Sequence, residues 1–380
     1  MAPFTTLWIA LQVLTLTSTV STTQLPVVGP GHFEVTFTEF SLTDTNRLDP
    51  FAKDGRPRSI MASAYSPSPA CQNKRQAPYM PPATAAFQDD KFAVYGLPNG
   101  TLKSLTMGTC DKVTKSNSCS PKGFPLVFFS GALGTSRLLY NSMCQSIAAG
   151  GYIVVSLDHP YDADIVEFPD GTIITAANIS SDADIELAVA TRADDIAFVY
   201  RQLGNTSLTD KFFPGYPHRN RLYNTAIVGH SLGGAAAAAA MLQIPSLRGG
   251  VNLDGTMFGP VVTKGFDRPF LLLGHENKTQ NTDPSWKATW PKLTRWKKEF
   301  EVKGAAHYSF SDLPLITSAL GLQEHLPAEV EQVLGRLEGH RMMDITVTYV
   351  TAFLDFLLKS GSEKKLQQAS RDFAEVVQVA

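Results

Sequence analysis

The sequence lacks a large excess of either positive or negative charge. It has 380 residues with 33 Lys and Arg against 35 Asp and Glu, which gives a formal net charge of only −2. The basic residues are scattered, and the runs are short pairs such as Lys297-Lys298 and Lys364-Lys365. Because a surface that binds nucleic acid needs clustered positive charge, we expect no nucleic-acid or polyphosphate partner.

Cysteine is scarce as well, with four residues whose spacing matches no zinc-site pattern. An even number of cysteines fits an oxidising compartment. The three full pairings stay open: two cysteines lie close together in one polar loop and could close a small ring, and a third lies in a predicted helix and could equally be a buried free thiol. The ring would join Cys110 to Cys119, the helical residue is Cys144, and the fourth is Cys71.

The N-terminus carries a short apolar run, from about Leu7 to Leu16, followed by small residues. The run is too short to span a bilayer, and it predicts a secretory signal peptide over residues 1–22 although no Lys or Arg precedes it and no A-x-A site is visible. Four N-x-S/T sequons support a secreted, extracellular glycoprotein. They are Asn99, Asn178, Asn205 and Asn277.

Strands and helices alternate from Pro125 onwards. Residues 126–129 form a continuous apolar run, typical of a strand buried on both faces of a parallel sheet. Residues 182–203 keep helical spacing after Ser181, a predicted N-cap. This alternation predicts an α/β protein with a doubly wound, mostly parallel sheet flanked by helices. We expect a single domain over 23–362, with a Pro-, Ser-, Asn- and Gly-rich surface excursion at 70–121 that contains short elements, and a C-terminal tail at 363–380.

The most specific motif is Gly229-His230-Ser231-Leu232-Gly233, which follows an apolar strand and opens an alanine-rich helix. A G-x-S-x-G sequence in this strand–turn–helix context predicts a nucleophile elbow that projects Ser231 above the sheet. The alternative is a glycine-rich turn that only packs helix on strand. We expect the backbone N–H of Leu232 to bind the developing oxyanion.

A serine nucleophile needs a base, and in this fold the base follows the serine and the acid in the chain. The histidines that qualify by order are His275, His307, His325 and His340. His307 is the predicted base because it lies in a loop of small residues directly after an apparent strand at 300–302.

Two carboxylates lie at predicted strand ends, where the site of such a sheet forms. Asp254 follows the strand at 250–253 and is the predicted acid, although Asp254-Gly255 could be only a turn. Glu276, after the strand at 270–273, is the alternative, but the neighbouring Asn277 is a candidate for glycosylation.

These residues resemble the platelet-activating factor acetylhydrolase family of serine-dependent lipoprotein-associated phospholipases, over roughly Pro125 to Leu313. The elbow and the interval from serine to acid (254 − 231 = 23) match, and the interval from acid to histidine (307 − 254 = 53) is close to that of the family. The resemblance implies the α/β-hydrolase fold and a second oxyanion amide at Leu133. Where the family usually has His-Gly-Leu-Gly, this chain has Gly131-Ala132-Leu133-Gly134.

The residues by themselves predict cleavage of an ester or a similar acyl group. The resemblance implies a substrate of the 1-alkyl-2-acetylglycerophosphocholine type, a phospholipid with a short or oxidised acyl chain, cleaved without calcium. The residues show no metal constellation, and we expect no cofactor. The resemblance also implies a lipid-surface contact through the apolar segment from Leu313 to Leu322, for which core packing is the alternative. The other functions considered are a general secreted carboxylesterase or polyester hydrolase, a serine peptidase, and a non-catalytic binding module.

Overall fold

A computed structural model describes residues 22–69, 71–111, 123–213, 222–367 and 372–380. The predicted signal peptide, except its last residue, and Cys119 lie outside these ranges. The strands are β1 (Thr23–Leu25), β2 (Glu34–Leu48), β3 (Pro57–Ser68), β4 (Lys74–Pro78), β5 (Leu105–Cys110), β6 (Leu126–Ser130), β7 (Ile153–Asp158), β8 (Ile165–Glu167), β9 (Ile173–Thr175), β10 (Thr225–His230), β11 (Leu247–Leu253), β12 (Phe270–His275), β13 (Lys297–Val302) and β14 (Val376–Gln378).

The α-helices are α1 (Pro82–Ala93), α2 (Thr101–Ser104), α3 (Asn141–Ala149), α4 (Asp182–Gln202), α5 (Thr206–Phe212), α6 (Leu232–Gln243), α7 (Val261–Lys264), α8 (Pro284–Thr289), α9 (Leu313–Ala319), α10 (Ala328–Leu334) and α11 (Gly339–Leu358). Short 3₁₀ turns cover Arg137–Tyr140, Trp290–Lys292, His307–Phe310, Gln323–His325 and Glu363–Leu366. Within the described ranges, no helix has both the length and the apolar character that crossing a membrane requires.

Twelve strands form one sheet in the order β1-β5-β2-β3-β7-β6-β10-β11-β12-β13-β14, with β4 paired to β5. The run from β7 through β6 and β10 to β13 is parallel, whereas β2, β3 and β14 pair antiparallel with a neighbour. The chain leaves β6 for β7 on one side and reaches β10 on the other, so the topological switch point lies at the carboxyl end of β6. The predicted α/β class and mostly parallel sheet are confirmed.

The central strands are covered on both faces, as their apolar runs indicate. In β6, Val127 and Phe129 belong to one apolar layer together with α3 and α11, and Leu126 and Phe128 belong to the other together with α4 and α6. Helix α4 begins at the predicted N-cap, where the Ser181 hydroxyl accepts from the Asp184 N–H in a capping box. Because helices cover these strands on both faces, the strands are held in place. The loops that follow their carboxyl ends, which carry the site residues, start from fixed positions.

The segment 70–121 differs from the surface excursion that its composition predicts. Strand β5 joins the sheet between β1 and β2, and Leu105 and Met107 are fully buried in the core. A disulfide joins Cys71 to Cys110, which excludes the small ring between Cys110 and Cys119 that the spacing leaves open. The pairing of β4 with β5 brings the two bonded cysteines together, while Cys144 is a buried free thiol in α3.

The apolar segment after the base loop is core for most of its length. Helix α9 buries Leu315 and Ile316 to 1% exposure against the layer that contains α11. The expectation of an exposed lipid anchor from Leu313 to Leu322 is therefore wrong at the centre of the segment, because its apolar face packs inward. Residues predicted to form a C-terminal tail contribute β14, which pairs with β13.

Candidate active site

The predicted site residues converge at the carboxyl ends of adjacent parallel strands. Gly131 follows β6, Ser231 follows β10, Asp254 follows β11, and His307 lies beyond β13. His275 is the last residue of β12, which lies between β11 and β13. In open α/β sheets the ligand crevice lies at this edge, beside the topological switch point.

Ser231 occupies a strained turn between β10 and α6, with φ 56° and ψ −124°. Side chains cannot be accommodated two residues before and after it. A Cβ on Gly229 would lie 2.0 Å from the Gly233 carbonyl oxygen, and one on Gly233 would lie 2.0 Å from that of Ser130. The glycines therefore permit the sharp turn, and the half-buried serine presents its hydroxyl at the start of a helix.

Ser231, His307 and Asp254 form a continuous series of hydrogen bonds. The Ser231 Oγ lies 2.8 Å from His307 Nε2, and His307 Nδ1 lies 2.5 Å from Asp254 Oδ2. Burial would raise the pKa of Asp254, but hydrogen bonds from His275 and His307 outweigh it and hold that pKa well below its usual value. An ionised acid, an imidazole and a hydroxyl are thus aligned as base-assisted attack by the serine requires.

Asp254 is part of a tight turn as well as a partner of His307. It has φ 61°, and Asn252 braces the turn by accepting from the Gly255 N–H at 2.7 Å and donating to the Gly255 carbonyl at 2.7 Å. The turn aims the fully buried carboxylate at the histidine. The alternative acid, Glu276, instead accepts from the Gly304 N–H at 3.1 Å and from Arg336 at 3.0 Å. Glu276 thereby ties down the loop that carries the base.

His230, inside the elbow, contacts the base loop. Its Nε2 lies 2.9 Å from the carbonyl oxygen of His307, and its Nδ1 lies 2.8 Å from the hydroxyl of Tyr140. Burial, reinforced by the charge of His307, lowers the pKa of His230 to about 3, so the ring is neutral at ordinary pH. A neutral ring that donates from Nε2 and accepts at Nδ1 fits both contacts.

The backbone N–H groups of the predicted oxyanion loop differ in whether they have a protein acceptor. The Ala132 N–H donates to Tyr140 Oη at 2.9 Å and the Gly134 N–H donates to the Asp162 carbonyl at 2.9 Å. Within the described part of the chain, the Leu133 N–H between them and the N–H of Leu232 donate to no protein acceptor. Both leucines pack in the same small apolar cluster. Two unpaired donors beside a serine hydroxyl suit a developing negative charge.

Arg192, on α4, fixes the same loop from beneath. It donates from Nη1 to the Gly131 carbonyl at 2.5 Å, from Nη2 to the Ala132 carbonyl at 3.2 Å, and to both carboxylate oxygens of Asp162. The sequence reasoning missed this residue, although a signal exists. Arg192 falls on the apolar stripe of its helix, at helical spacing between Val189 and Ile196, where a charge needs a buried partner.

An apolar cavity of about 350 Å³ lies between the segment after α1 and the helices α9 and α10. Tyr95, Leu97, Ile316 and Val330 are among its apolar wall residues. Thr135 and Tyr308 also line it and lie 3.3 Å apart through their hydroxyl oxygens. None of Ser231, Asp254 and His307 lines the cavity, but Thr135 and Tyr308 follow Leu133 and His307 closely in the chain.

A second histidine contacts the buried acid. His275 Nδ1 lies 2.6 Å from Asp254 Oδ1 and 2.8 Å from Oδ2. Asp254, His275 and His307 have ligand atoms within 4.8 Å of one another, which in the described ranges makes them a group able to hold a metal ion. Both carboxylate oxygens already accept N–H groups of the histidines, which favours a hydrogen-bonded arrangement. From its order in the chain, His275 qualifies only as a candidate base. In the structure it contacts the candidate acid, Asp254.

Comparison with known proteins agrees with this geometry. The sequence matches the family described as platelet-activating factor acetylhydrolase, isoform II, over residues 64–168 and 219–373. A probable 1-alkyl-2-acetylglycerophosphocholine esterase of Arthroderma benhamiae is 31% identical over 369 residues, which cover 91% of this chain and 92% of that protein. The platelet-activating factor acetylhydrolase of Cavia porcellus is 22% identical over 71% of this chain and 65% of its own length.

A solved structure is similar over nearly the whole chain. The ferulic acid esterase of Streptomyces cinnamoneus superposes with a TM-score of 0.78 and 26% sequence identity, covering 95% of this chain and 100% of that one. The elbow, the aligned histidine and acid, and the similarity to esterases along most of the sequence agree with one another. The chain belongs to the platelet-activating factor acetylhydrolase family and is a serine ester hydrolase.

Proposed function

We propose that Ser231 is the nucleophile, His307 the base and Asp254 the acid of the triad, and that the enzyme hydrolyses short-chain or oxidised acyl esters of phospholipids. The observation that carries the triad is the bonded series from Ser231 Oγ through the two ring nitrogens of His307 to the buried Asp254. Such a series raises the nucleophilicity of a serine hydroxyl, which is otherwise weak.

In the acylation step, Ser231 Oγ attacks the ester carbonyl carbon and its proton passes to His307 Nε2. Asp254 stabilises the imidazolium through Nδ1, and the N–H groups of Leu133 and Leu232 bind the oxyanion. His307 then protonates the departing alcohol. In the second half, His307 takes a proton from water as the water attacks the acyl carbonyl carbon; the bond from that carbon to Ser231 Oγ breaks, and His307 returns the proton to Oγ. The oxyanion is stabilised by two backbone N–H groups and the imidazolium by Asp254, so groups of this chain stabilise both charges. This supports hydrolysis without calcium.

The phospholipid class rests on the Arthroderma relative, which is named an esterase of 1-alkyl-2-acetylglycerophosphocholine, and on the apolar cavity. A volume of about 350 Å³ lies within the range of about 300–1,000 Å³ that is usual for ligand pockets. Its apolar wall, which includes Tyr308 directly after the base in the chain, suits the hydrocarbon chain of a lipid alcohol. A short acyl group would then face the oxyanion loop while the long chain lies along the cavity.

Secretion is supported by the covalent chemistry of the surface. All four sequon asparagines are exposed in the structure, and one disulfide joins Cys71, just before β4, to Cys110 at the end of β5. The asparagines are Asn99, Asn178, Asn205 and Asn277. Disulfides and N-linked glycans are both acquired in the secretory route.

A second candidate function is hydrolysis of feruloyl or other carboxylic esters. It is favoured because the superposition includes 100% of the Streptomyces ferulic acid esterase at a TM-score of 0.78. A general carboxylesterase or a polyester hydrolase would use the same triad. A non-catalytic binding module fits less well, since such a module has no need of the strained serine and its bonded histidine.

A substrate panel on the purified protein tests the proposal. We expect a phospholipid with a 2-acetyl group to have a kcat/KM at least about tenfold above that of its 2-palmitoyl counterpart and of methyl ferulate. Addition of EDTA should leave the rate unchanged. Ser231→Ala serves as the matched control for background hydrolysis. A preference for methyl ferulate over both phospholipids would overturn the lipid assignment and leave the esterase assignment intact.

A further inference from the structure

Asp254 has more hydrogen-bond donors than a triad acid needs for its histidine. His275 donates to it twice: its backbone N–H lies 2.9 Å from Oδ1, and its ring Nδ1 lies 2.6 Å from the same oxygen. His307 approaches the other oxygen, Oδ2, at 2.5 Å. The His275 ring thus contacts both oxygens of the buried carboxylate, closer to Oδ1, and it lies 2.8 Å from Oδ2, which it shares with His307.

The position of His275 separates it from the base. It ends β12, and its ring is about one-third exposed, with Nδ1 turned inward to the acid. Ser231 Oγ is bonded by His307 Nε2, so His275 is not needed to activate the serine. The His275 ring contacts the carboxylate of Asp254 and not the serine, so any effect on the reaction passes through Asp254 and His307.

We propose that His275 is a positioning residue that holds the carboxylate of Asp254 in the rotamer presenting Oδ2 to His307. The inference rests on the proposed role of Asp254 as the triad acid. Asp254 lies in a turn with positive φ, and its side chain is surrounded by buried atoms. Without the His275 ring, Oδ1 keeps a single N–H donor, and the carboxylate is free to rotate about its χ2 torsion, which is a broad one.

Rotation of the carboxylate would weaken catalysis rather than binding. The bond to His307 fixes the ring orientation and the tautomer, and it stabilises the imidazolium that forms in the transition state. The ground-state complex has a neutral imidazole and depends less on this bond. Loss of the His275 ring should therefore lower kcat and leave KM nearly unchanged.

The test compares His275→Ala with His275→Asn. The Nδ2 of asparagine occupies nearly the place of histidine Nδ1, so Asn retains a donor to Asp254 and Ala does not. His340→Ala is the matched control, since His340 is exposed at the start of α11, away from the described site. We expect Ala to lower kcat about 10- to 100-fold, the effect of a lost hydrogen bond to a charged group, with KM within about twofold. Asn should restore most of kcat.

A pH profile gives a readout that loss of fold does not imitate. In His275→Ala the acid limb of log kcat/KM against pH should move, because the ionisation of His307 depends on how Asp254 is held. Equal losses in Ala and Asn, or an unchanged kcat in Ala, would overturn the inference. So would activation of the wild type by Zn²⁺ that His275→Ala abolishes, which would assign His275 to a metal site.

Failure of this inference differs from failure of the proposed function. If His275→Ala is normal while Asp254→Asn is crippled, only the positioning role is wrong. If Asp254→Asn is itself normal, the triad assignment fails, and the inference fails with it. Thermal unfolding of each variant identifies a loss of activity that comes from unfolding.

Discussion

Within the described residues, two Ser–His–Asp sets form the same series of contacts. In the first, Ser231 bonds His307 at 2.8 Å and His307 bonds Asp254. In the second, Ser130 Oγ lies 3.0 Å from His159 Nε2, and His159 Nδ1 lies 2.9 Å from Asp195. Geometry of the side chains alone does not distinguish the two.

The two sets differ in solvent exposure, in the partners of the serine hydroxyl and in the backbone conformation of the serine. Ser130 and Asp195 are completely buried and His159 is 2% exposed, whereas the side chain of His307 is 39% exposed. Arg192 donates to the Ser130 hydroxyl at 3.1 Å, so that oxygen already has a cationic partner. Ser231 instead occupies a strained turn open to the site.

The acids differ in the same way. Burial would raise the pKa of Asp195, but the charge of Arg58 outweighs it and holds the pKa far below its usual value. Arg58 lies 2.7 Å from Asp195 and 2.8 Å from Asp49, all of them buried. The second set is thus part of a buried ion network that supports the oxyanion loop. Access and backbone strain, more than residue identity, separate an active site from a structural relay.

The largest contrast is expected between the two serines. Ser231→Ala should lower kcat by about 10⁴-fold or more with the fold intact, because only the nucleophile is lost. Ser130→Ala should retain activity within about tenfold and lose about 1–3 kcal/mol of unfolding free energy, since it leaves buried His159 and Arg192 atoms unpaired. Aryl acetate hydrolysis and urea unfolding measure the two quantities. Comparable rate losses in both variants would break the comparison.

The acids give the next contrast. Asp254→Asn should lower kcat by about 10⁴-fold, because an amide neither holds the productive tautomer nor stabilises the imidazolium. Asp195→Asn should mainly lower the free energy of unfolding, by about 3–5 kcal/mol, since it leaves the buried Arg58 short of a counter-charge.

Glu276→Gln is the control for the triad acid. It changes a carboxylate that lies at a neighbouring strand end and bonds the base loop through Gly304, so a small loss of activity is expected. A crippled Glu276→Gln beside a near-normal Asp254→Asn would move the acid to the later strand.

Features of this molecule that neighbouring residues determine could be predicted from the sequence, and features that depend on distant segments could not. The elbow could be predicted because steric limits at Gly229 and Gly233 leave few alternatives within five residues, and the cap at Ser181 obeys a similarly local rule. Strand β5 could not be predicted, since its residues 105–110 include Thr and Gly without an apolar run. The burial of Leu315 and the contact of His275 with Asp254 depend on packing between distant segments.

A smaller effect is expected where Arg192 joins the two sets. Arg192→Lys removes the fork that holds the carbonyls of Gly131 and Ala132. The Leu133 N–H should then lose alignment with the oxyanion, and kcat should fall about 10- to 100-fold, somewhat less than for removal of one oxyanion donor. Steady-state kinetics with a soluble acetyl ester measures the change. A loss confined to KM would contradict the account.

The smallest expected effect is a pH dependence of stability from the buried ring of His230. Its pKa is lowered from 6.5 to about 3, so its contribution to stability is present above pH 6.5 and is lost as pH falls towards 3. Between pH 7 and pH 5 the wild type should lose about 2 kcal/mol more unfolding free energy than His230→Gln, which keeps a donor near the Nε2 position. Urea unfolding at the two pH values gives this difference. Equal losses would show that His230 takes up a proton in the folded state.

The central claim, that Ser231 and not Ser130 is the nucleophile, is tested most directly by covalent labelling. A fluorophosphonate reacts with a serine only when a base activates it and the site admits the reagent. Intact mass and peptide mapping of the folded wild-type protein should locate one adduct on Ser231, and Ser231→Ala should remain unlabelled. An adduct on Ser130, or a folded wild-type protein that takes up no label, would contradict the account.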